Sequence, residues 1–175
     1  MLFEADIYGD PNGIIVVPWF WCPELSLRDK EEKNRDLYRG WLDRGFMRTT
    51  EGSATDFAAV RRDIMAILKD FDLVDIGMDM RFGVETAQYL MAEYGNDRVT
   101  QIDQNMANMT PPCQDLETRI KFKTIYHGDN PILRWNAGNV MLKTSGDLRR
   151  PMKEKENSPK KIDGIAALAG AGGAS

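Results

Sequence analysis

The chain has 175 residues, of which 42% are hydrophobic and 29% charged, a composition that suits one globular domain with an adequate core. No apolar run approaches the roughly 20 residues that cross a bilayer, and the N-terminus lacks the features of a signal peptide. We therefore expect a soluble, intracellular protein. Cys22 and Cys113 lack metal-ligand spacing and His127 is the one histidine, so we expect buried, reduced thiols and no zinc site.

Charge is unevenly distributed along the chain, although the net charge is only −4 and the pI about 5.1. Residues 119–161 contain eleven Lys and Arg against four Asp and Glu, a net +7, which leaves −11 for the remainder. A DNA-facing surface needs such a basic segment, because phosphate neutralisation supplies most non-specific affinity. An ordinary solvated surface has the same composition, so both interpretations stay open.

The first half of the chain predicts an opening hairpin followed by helices and a strand. Pro18 cannot donate to a β-ladder, which indicates an edge or bulge position in the second arm of the hairpin. Thr55 or Ser53 is the expected cap of the second helix. The predicted elements are strands at 2–8 and 14–21 around a turn at 10–13, helices at 28–44 and 57–68, a strand at 73–79 and a helix at 84–94.

The second half predicts further alternation of strands and helices. Thr110-Pro111 and Asn130-Pro131 each pair a capping residue with proline at the first helical position. The predicted elements are a strand at 98–102, helices after each of these dipeptides, a strand at 139–144, a turn at 145–147, a basic loop to Pro159 and a last helix from about Lys161. Residues 170–175 are predicted to form a flexible tail by composition. This alternation implies an α/β fold with a mixed sheet.

Two aspartates stand where α/β folds often present ligand groups. Asp79 ends an apolar strand, and ligands collect at the carboxyl edge of such sheets. Asp163 opens the last helix, where the helix dipole favours a negative charge. Taken alone, each residue is also explained by a structural role, Asp79 as a turn or cap residue and Asp163 as an ordinary first-turn acid.

Short blocks of sequence support a more specific interpretation. They are Trp19 to Glu24, Tyr38 with Trp41, Thr49 to Asp56, Ile76 to Asp79, His127 to Val140 and Lys161 to Leu168. In this order and spacing they resemble the C-terminal nuclease domain of phage terminase large subunits, the DNA-packaging motors of tailed phages. The resemblance covers roughly residues 2 to 168. It implies a ribonuclease H-like mixed sheet flanked by helices over residues 1–169, with carboxylates that hold divalent metals.

The resemblance implies catalytic and metal-binding roles for Asp79 and Asp163, which match the second and last metal-binding carboxylates of that domain. Two Mg²⁺ or Mn²⁺ ions roughly 3.5–4 Å apart suit phosphodiester hydrolysis and need hard oxygen ligands. The family's first acid lies on its first strand, whereas the strand at 2–8 aligns with the second. We therefore expect the first strand and its acid to be missing. Glu4 and Asp6, on one face of the strand, are alternative sources of the third ligand.

Candidate DNA-binding residues lie in the basic segment. Lys153, Lys155 and Lys161 flank Asp163 in sequence and suit phosphate contacts, and balancing the charge of the carboxylates is an alternative role for one of them. His127 is either a phosphate contact or a hydrogen-bonded structural residue.

Three further residues have competing explanations. Arg134 and Trp135 resemble DNA-contact chemistry, yet a tryptophan on a short helix is typical of a core. Asp56 matches an acid that recurs in the family, and it is also a suitable helix cap.

Three functions remain open from the sequence. The first is a metal-dependent endonuclease that cuts concatemeric double-stranded phage DNA, with the terminase small subunit and portal as partners and no membrane, in the cytoplasm of a bacterial host. The second is a catalytically impaired prophage remnant that binds DNA or the portal. The third is a resolvase- or transposase-like nuclease of the same fold. No Gly-x-x-x-x-Gly-Lys-Ser/Thr loop is present, so the chain is not an ATP-driven motor by itself.

Overall fold

A computed structural model describes residues 1–7, 10–28, 32–155 and 158–172, and their secondary structure is mixed α/β as predicted. The chain divides into a larger unit, Met1–Pro18 with Asp75–Ser175, and a smaller unit, Trp19–Val74. No helix in the described ranges is long and apolar enough to cross a membrane. The strands are β1 (Leu2–Ile7), β2 (Asp10–Val16), β3 (Trp21–Pro23), β4 (Arg48–Thr50), β5 (Ile76–Met78), β6 (Val99–Gln101), β7 (Ile125–Tyr126), β8 (Val140–Ser145) and β9 (Leu148–Lys153). The helices are α1 (Glu32–Asp43), α2 (Phe57–Leu68), α3 (Met80–Tyr94), α4 (Met106–Phe122), α5 (Pro131–Ala137) and α6 (Asp163–Gly172).

The larger unit contains a mixed sheet with the strand order β1-β2-β7. β1 and β2 form the predicted antiparallel hairpin, with Leu2 opposite Val16, and β2 runs parallel to β7. The second arm is shorter than expected because β2 ends at Val16, two residues before Pro18. The predicted turn at 10–13 is wrong, since those residues already belong to β2.

A second pair of strands in the larger unit lies next to the candidate aspartates. β5 and β6 are parallel, with Ile76 opposite Val99 and Met78 opposite Gln101. The Ile102 amide donates to the Met78 carbonyl at 2.8 Å, which extends the pairing to the end of β5. The strand predicted over 73–79 is therefore shortened to three residues, and α3 begins soon after it at Met80.

Helix α4 does not begin at Thr110-Pro111, so the predicted start of this helix is wrong. It begins at Met106, where the side chain of Asn105 accepts from the Asn108 amide at 2.9 Å, and both prolines lie inside it. Proline lacks an amide proton, so the helix loses backbone hydrogen bonds there. Next to the prolines, the Thr110 hydroxyl donates an additional hydrogen bond to the Met106 carbonyl at 2.6 Å.

The basic segment after β8 is a second strand rather than the predicted loop. β8 and β9 pair antiparallel from Val140 opposite Lys153 to Ser145 opposite Leu148, and Gly146 provides the left-handed turn residue (φ 57°). The Arg149 amide donates to the Thr110 hydroxyl at 2.8 Å and thereby attaches β9 to α4.

Helices α5 and α6 close the larger unit. As predicted, Asn130 caps α5: its side chain accepts from the Ile132 and Leu133 amides, with Pro131 at the first helical position. α6 packs against α4 around the buried residues Met109, Cys113 and Ala169. The predicted flexible tail is wrong at its start, because α6 continues to Gly172 and Gly170 is buried.

The smaller unit contains α1, α2 and the parallel pair β3-β4. α1 carries Tyr38 and Trp41 at the predicted helical spacing, both are buried, and their ring centroids lie 5.0 Å apart. The predicted end of this helix near Gly45 is supported by a left-handed φ of 75° at that residue. The expected cap of α2 at Thr55 or Ser53 is wrong, since Asp56 takes that position.

Candidate functional site

Asp79 directly follows β5, and its side chain is partly buried. The turn from β5 into α3 is short, because β5 ends at Met78 and α3 begins at Met80. Gly83 interrupts the helical geometry of α3, with φ −144° and ψ 23°. The chain therefore turns away at once after β5 and leaves Asp79 at the carboxyl end of the strand, the position that the sequence predicts.

Asp163 is the first residue of α6, and its side chain is exposed. The first turn of this helix has an unusual cap. The Ala166 amide donates to the Ile162 carbonyl, so the buried, apolar Ile162 occupies the capping position and offers no side-chain acceptor. The position of Asp163 at the start of a helix and the exposure of its side chain are both consistent with a carboxylate that can reach a ligand.

Asn136 of α5 replaces the missing cap. Its Oδ1 accepts from the Gly164 amide at 2.8 Å, and its Nδ2 donates to the Ile132 carbonyl at 3.0 Å. Asn139 adds a second link, because its Nδ2 donates to the Lys161 carbonyl at 3.1 Å. Asn136 is only 2% exposed, so it fixes the backbone on which Asp163 stands.

Sequence reasoning missed this role of Asn136. The available signal was an asparagine on the buried side of a short helix, followed later in the chain by a helix without a polar capping residue of its own. A buried amide must find hydrogen-bond partners, so such a residue indicates a link to another backbone segment.

The two candidate ligands lie on neighbouring elements, because α6 packs against β5 within the larger unit. A Cβ atom added at Gly170 would lie 3.5 Å from the side chain of Ile102, which shows how closely α6 approaches the end of β6. Carboxylate oxygens are the donors that Mg²⁺ and Mn²⁺ prefer, and Mg²⁺ is commonly held by one or two of them together with water and phosphate. The donor chemistry of Asp79 and of Asp163 therefore suits such ions, and their joint coordination of one ion stays a prediction.

A third ligand is not assembled by the part of the chain that the structure describes. Among those residues no group of three or more His, Cys, Asp or Glu is arranged to hold a metal. Glu4 is exposed on β1, and the β1-β2 register shifts between Ala5 and Ile7. The Asp6 side chain lies outside the described side chains, so its assignment as third ligand stays a prediction.

The three lysines proposed for DNA contact have different surroundings. Lys153 is the last residue of β9 and partly buried, Lys155 is exposed, and Lys161 is partly buried just before α6. The neighbouring Lys160 pairs with Glu154 at 3.5 Å. Lys155 is therefore the most accessible of the three, and their contact with DNA stays a prediction.

Several other basic side chains of residues 119–161 form ion pairs with acidic side chains. Arg119 pairs with Asp115 at 2.6 Å, and Arg149 pairs with Glu117 at 3.1 Å. Arg134, which is exposed, forms an ion pair with Asp129. The charge available to phosphate is consequently smaller than the sequence count of +7.

His127 precedes α5, and Trp135 lies within it. His127 precedes a turn in which Gly128 and Asp129 both have left-handed φ angles, and its Nδ1 is buried without a hydrogen-bond partner. The predicted alternative of a hydrogen-bonded structural histidine is therefore not found at this atom. Trp135 is partly buried.

Asp56 has a structural role in the smaller unit. Its Oδ1 accepts from the Ala58 and Ala59 amides at 2.9 and 3.0 Å, so the carboxylate caps α2, one of the two roles the sequence suggested. The two sequence blocks around β3 and β4 meet here, with Trp21 opposite Arg48.

Asp63 is a further acid of the smaller unit that the sequence did not single out. It accepts from the Trp21 indole at 2.8 Å and pairs with Arg48 at 3.0 Å. The indole hydrogen bond, followed by the Arg48 guanidinium, lowers the pKa of Asp63. This group joins α2 to the β3-β4 pair and explains why Trp21 lies at this position.

Comparison with known proteins adds independent information. The family described as "Terminase large subunit, endonuclease domain" matches residues 20–173. Protein YmfN of Escherichia coli strain K12 is 29% identical over 174 residues, which are 95% of this chain and 37% of that protein. The large terminase subunit of Enterobacteria phage HK97 is 30% identical over 155 residues, 87% of this chain and 30% of that protein.

A solved structure gives the same result for the fold. The crystal structure of the HK97 bacteriophage large terminase superimposes with a TM-score of 0.85 at 27% identity, over 99% of this chain and 35% of that one. The predicted ribonuclease H-like α/β class is confirmed by this match. The chain spans about a third of the length of these relatives. On the evidence of the matched residues 20–173, the chain belongs to the family of terminase large subunit endonuclease domains.

Proposed function

We propose that this chain is the metal-dependent endonuclease part of a phage DNA-packaging terminase and that it cuts concatemeric double-stranded DNA. One observation carries the proposal: Asp79 ends β5 and Asp163 begins α6, and α6 packs against β5. Both aspartates are the residues that the family resemblance assigned to metal binding. Family membership supports the reaction class.

Asp79 and Asp163 would hold a divalent cation through carboxylate oxygens. When bound, such an ion polarises a phosphodiester oxygen and makes a water molecule nucleophilic at neutral pH. The chain itself contributes the position of its ligands. Asp163 stands at a helix N-terminus, where the dipole favours an anion, and Asn136 holds the first turn of that helix in place.

Substrate approach is assigned to the basic side chains beside this site. Lys161 precedes Asp163 by two residues, and Lys155 is exposed on the segment that leads to it. Phosphate contacts of this type orient a duplex without reading its sequence. Double-stranded DNA, the terminase small subunit and the portal are the partners that this function would require.

A second candidate function is a DNA- or portal-binding module that does not cut. It is favoured by one observation, namely that the described residues bring together no group of three metal ligands. The resemblance implies three carboxylates, of which this chain supplies two with a family match. We therefore expect slow cleavage by this chain rather than efficient turnover.

Metal binding is tested first, because it can be measured even when cleavage is slow. Mn²⁺ broadens amide signals near its site in ¹⁵N-correlated spectra, so we expect broadening around Asp79 and Gly164. Asp79→Asn and Asp163→Asn should abolish it, whereas the control Asp97→Asn, an exposed acid in the short 3₁₀ turn Asn96–Arg98, should not. Equal broadening in all four proteins would refute the assigned ligands.

Cleavage is tested by nicking of supercoiled plasmid in Mn²⁺ with the same four proteins. Loss of a metal ligand should lower the rate by about 10²-fold or more, while Asp97→Asn should retain it. Nicking that survives Asp79→Asn would contradict the proposed site. Mn²⁺ binding without measurable nicking would favour the non-cutting module.

A further inference from the structure

Strand β8 has one edge that no described part of the chain covers. In the residues that the structure describes, β8 pairs with β9 alone, and the two strands form a two-stranded sheet. Every residue of β8 after Val140 is exposed, and the exposed fractions of Met141 and Leu142 are 52% and 45%. An exposed, apolar strand edge is a surface on which another strand can pair.

The contact between β9 and α4 identifies which backbone groups of β8 point to the open edge. The Arg149 amide donates to the Thr110 hydroxyl at 2.8 Å, and the Arg149 carbonyl lies 3.2 Å from the same oxygen. Both groups of Arg149 therefore point away from β8. In an antiparallel pair, two opposite residues either bond to each other or both point outward, so Thr144, which is opposite Arg149, points outward as well.

The outward orientation repeats at every second residue of β8 and therefore includes Val140, Leu142 and Thr144. Pro151 supports this assignment, because it is opposite Leu142 and has no amide proton to donate to a ladder. Outside the β8-β9 ladder, no described residue bonds to the amide or carbonyl of Leu142 or Thr144. Donors and acceptors at this two-residue spacing are complementary to another extended strand.

We propose that this edge pairs with the same edge of a second copy of the chain, antiparallel and about a twofold axis at Leu142. Three outward residues at equal spacing are self-complementary. Leu142 is then opposite Leu142 of the second copy, and Val140 is opposite Thr144 of the second copy. Each of these pairs exchanges two backbone hydrogen bonds. Such an isologous interface is closed, so the assembly stops at a dimer.

Lys143 selects this register. It is the single charged residue of β8, and in the proposed pairing it is opposite Met141 of the second copy. The neighbouring register toward the hairpin turn would place the two copies of Lys143 directly opposite each other, which is unfavourable. The neighbouring register in the other direction leaves Thr144 without a partner strand. One register therefore satisfies the outward backbone groups without opposing like charges.

The small size of this interface predicts a weak dimer. β8 has six residues, whereas each partner contributes roughly 20–30 residues to a standard interface. We expect a dissociation constant of about 0.1 mM, so sedimentation equilibrium between about 10 µM and about 1 mM should show the change from monomer to dimer. Hydrogen exchange of the outward Leu142 amide should slow over the same range. Exchange of the Lys143 amide, which is bonded within the hairpin, should not change.

Two pairs of variants test the edge and its register. Leu142→Pro removes an outward amide and leaves the β8-β9 ladder intact, so it should weaken the dimer at least about tenfold. The matched control Leu142→Ile keeps the amide and should change the dissociation constant by no more than about twofold. Met141→Glu and Met141→Lys lose the same side chain and place opposite charges across from Lys143 of the second copy. The glutamate variant should dimerise at least about fivefold more tightly than the lysine variant.

Three results would overturn the proposal. They are a monomer at about 1 mM, a dimer that Leu142→Pro does not weaken, and equal dimerisation of Met141→Glu and Met141→Lys. The second result would assign self-association to another surface, and the third would exclude this register. The Met141 pair decides the question even if Leu142→Pro disturbs the hairpin. All measurements are made without metal or DNA, so their outcome is independent of the roles proposed for Asp79 and Asp163.

Discussion

Replacing Asn136 with alanine is expected to loosen the start of α6, on which Asp163 stands. The side chain is almost completely buried and makes two hydrogen bonds, one to the Gly164 amide of α6 and one to the Ile132 carbonyl of α5. Alanine removes both. The Gly164 amide then has no acceptor, because Ile162 at the capping position offers none from its side chain.

The expected loss follows from the kind of group left behind. A buried donor without a partner costs about 1–3 kcal/mol, and the Ile132 carbonyl loses less because it lies within a helix. We therefore expect about 2 kcal/mol of destabilisation. This corresponds to exchange of the Gly164 amide that is faster by about 30-fold.

Native-state hydrogen exchange and urea unfolding would measure these effects, with Asn139→Ala as the matched control. Asn139 donates a single hydrogen bond to the Lys161 carbonyl, so its loss should cost about 1 kcal/mol or less. Asn136→Ala should also weaken Mn²⁺ broadening at Gly164. A free energy of unfolding within about 0.5 kcal/mol of the wild type, with unchanged exchange at Gly164, would refute the reasoning.

Three further predictions concern other groups. Asp56→Ala removes the cap of α2 and should cost about 0.5–2 kcal/mol in urea unfolding, whereas Asp56→Asn should cost much less, and equal losses would contradict a capping role. The pKa of Asp63 is lower in the folded state, so its stabilisation is complete above the unfolded value of about 3.9 and is lost as pH falls through the folded value. Unfolding at several pH values should show a difference between wild type and Asp63→Asn that shrinks below about pH 4, and a constant difference would be inconsistent with this linkage. Charge reversal at Lys153, Lys155 and Lys161 should weaken duplex binding for every sequence and reduce the slope of log K against log salt by about 0.9 per lost contact, whereas an unchanged slope would show that these lysines are only solvated.

The sequence was sufficient for features that depend on neighbouring residues. The Asn130-Pro131 pair predicted the start of α5, the spacing of Tyr38 and Trp41 predicted α1, and the apolar run before Asp79 predicted β5. Each of these depends on local backbone preference or on the periodicity of one element. The ordered blocks also predicted the family, which the match to residues 20–173 confirms.

Predictions from the local sequence were wrong where a contact with a distant part of the chain outweighed the local preference. Thr110-Pro111 has the form of a helix start, yet α4 runs through it, because Thr110 bonds both within the helix and to the amide of Arg149 in β9. The same contact converts the predicted basic loop into a strand. The glycine-rich end of α6 is helical to Gly172, and Gly170 is buried there next to Ile102.

The candidate site shows the same division. The sequence by itself determined which residue types are available: an aspartate after a strand, an aspartate at the start of a helix and lysines beside it. Only the tertiary structure decided that α6 packs against β5, that Asn136 caps α6 from a different helix and that Asp56 is occupied by the α2 amides. The physical reason is that hydrogen bonds and packing between distant segments depend on the fold as a whole, whereas strand and helix preferences depend on adjacent residues.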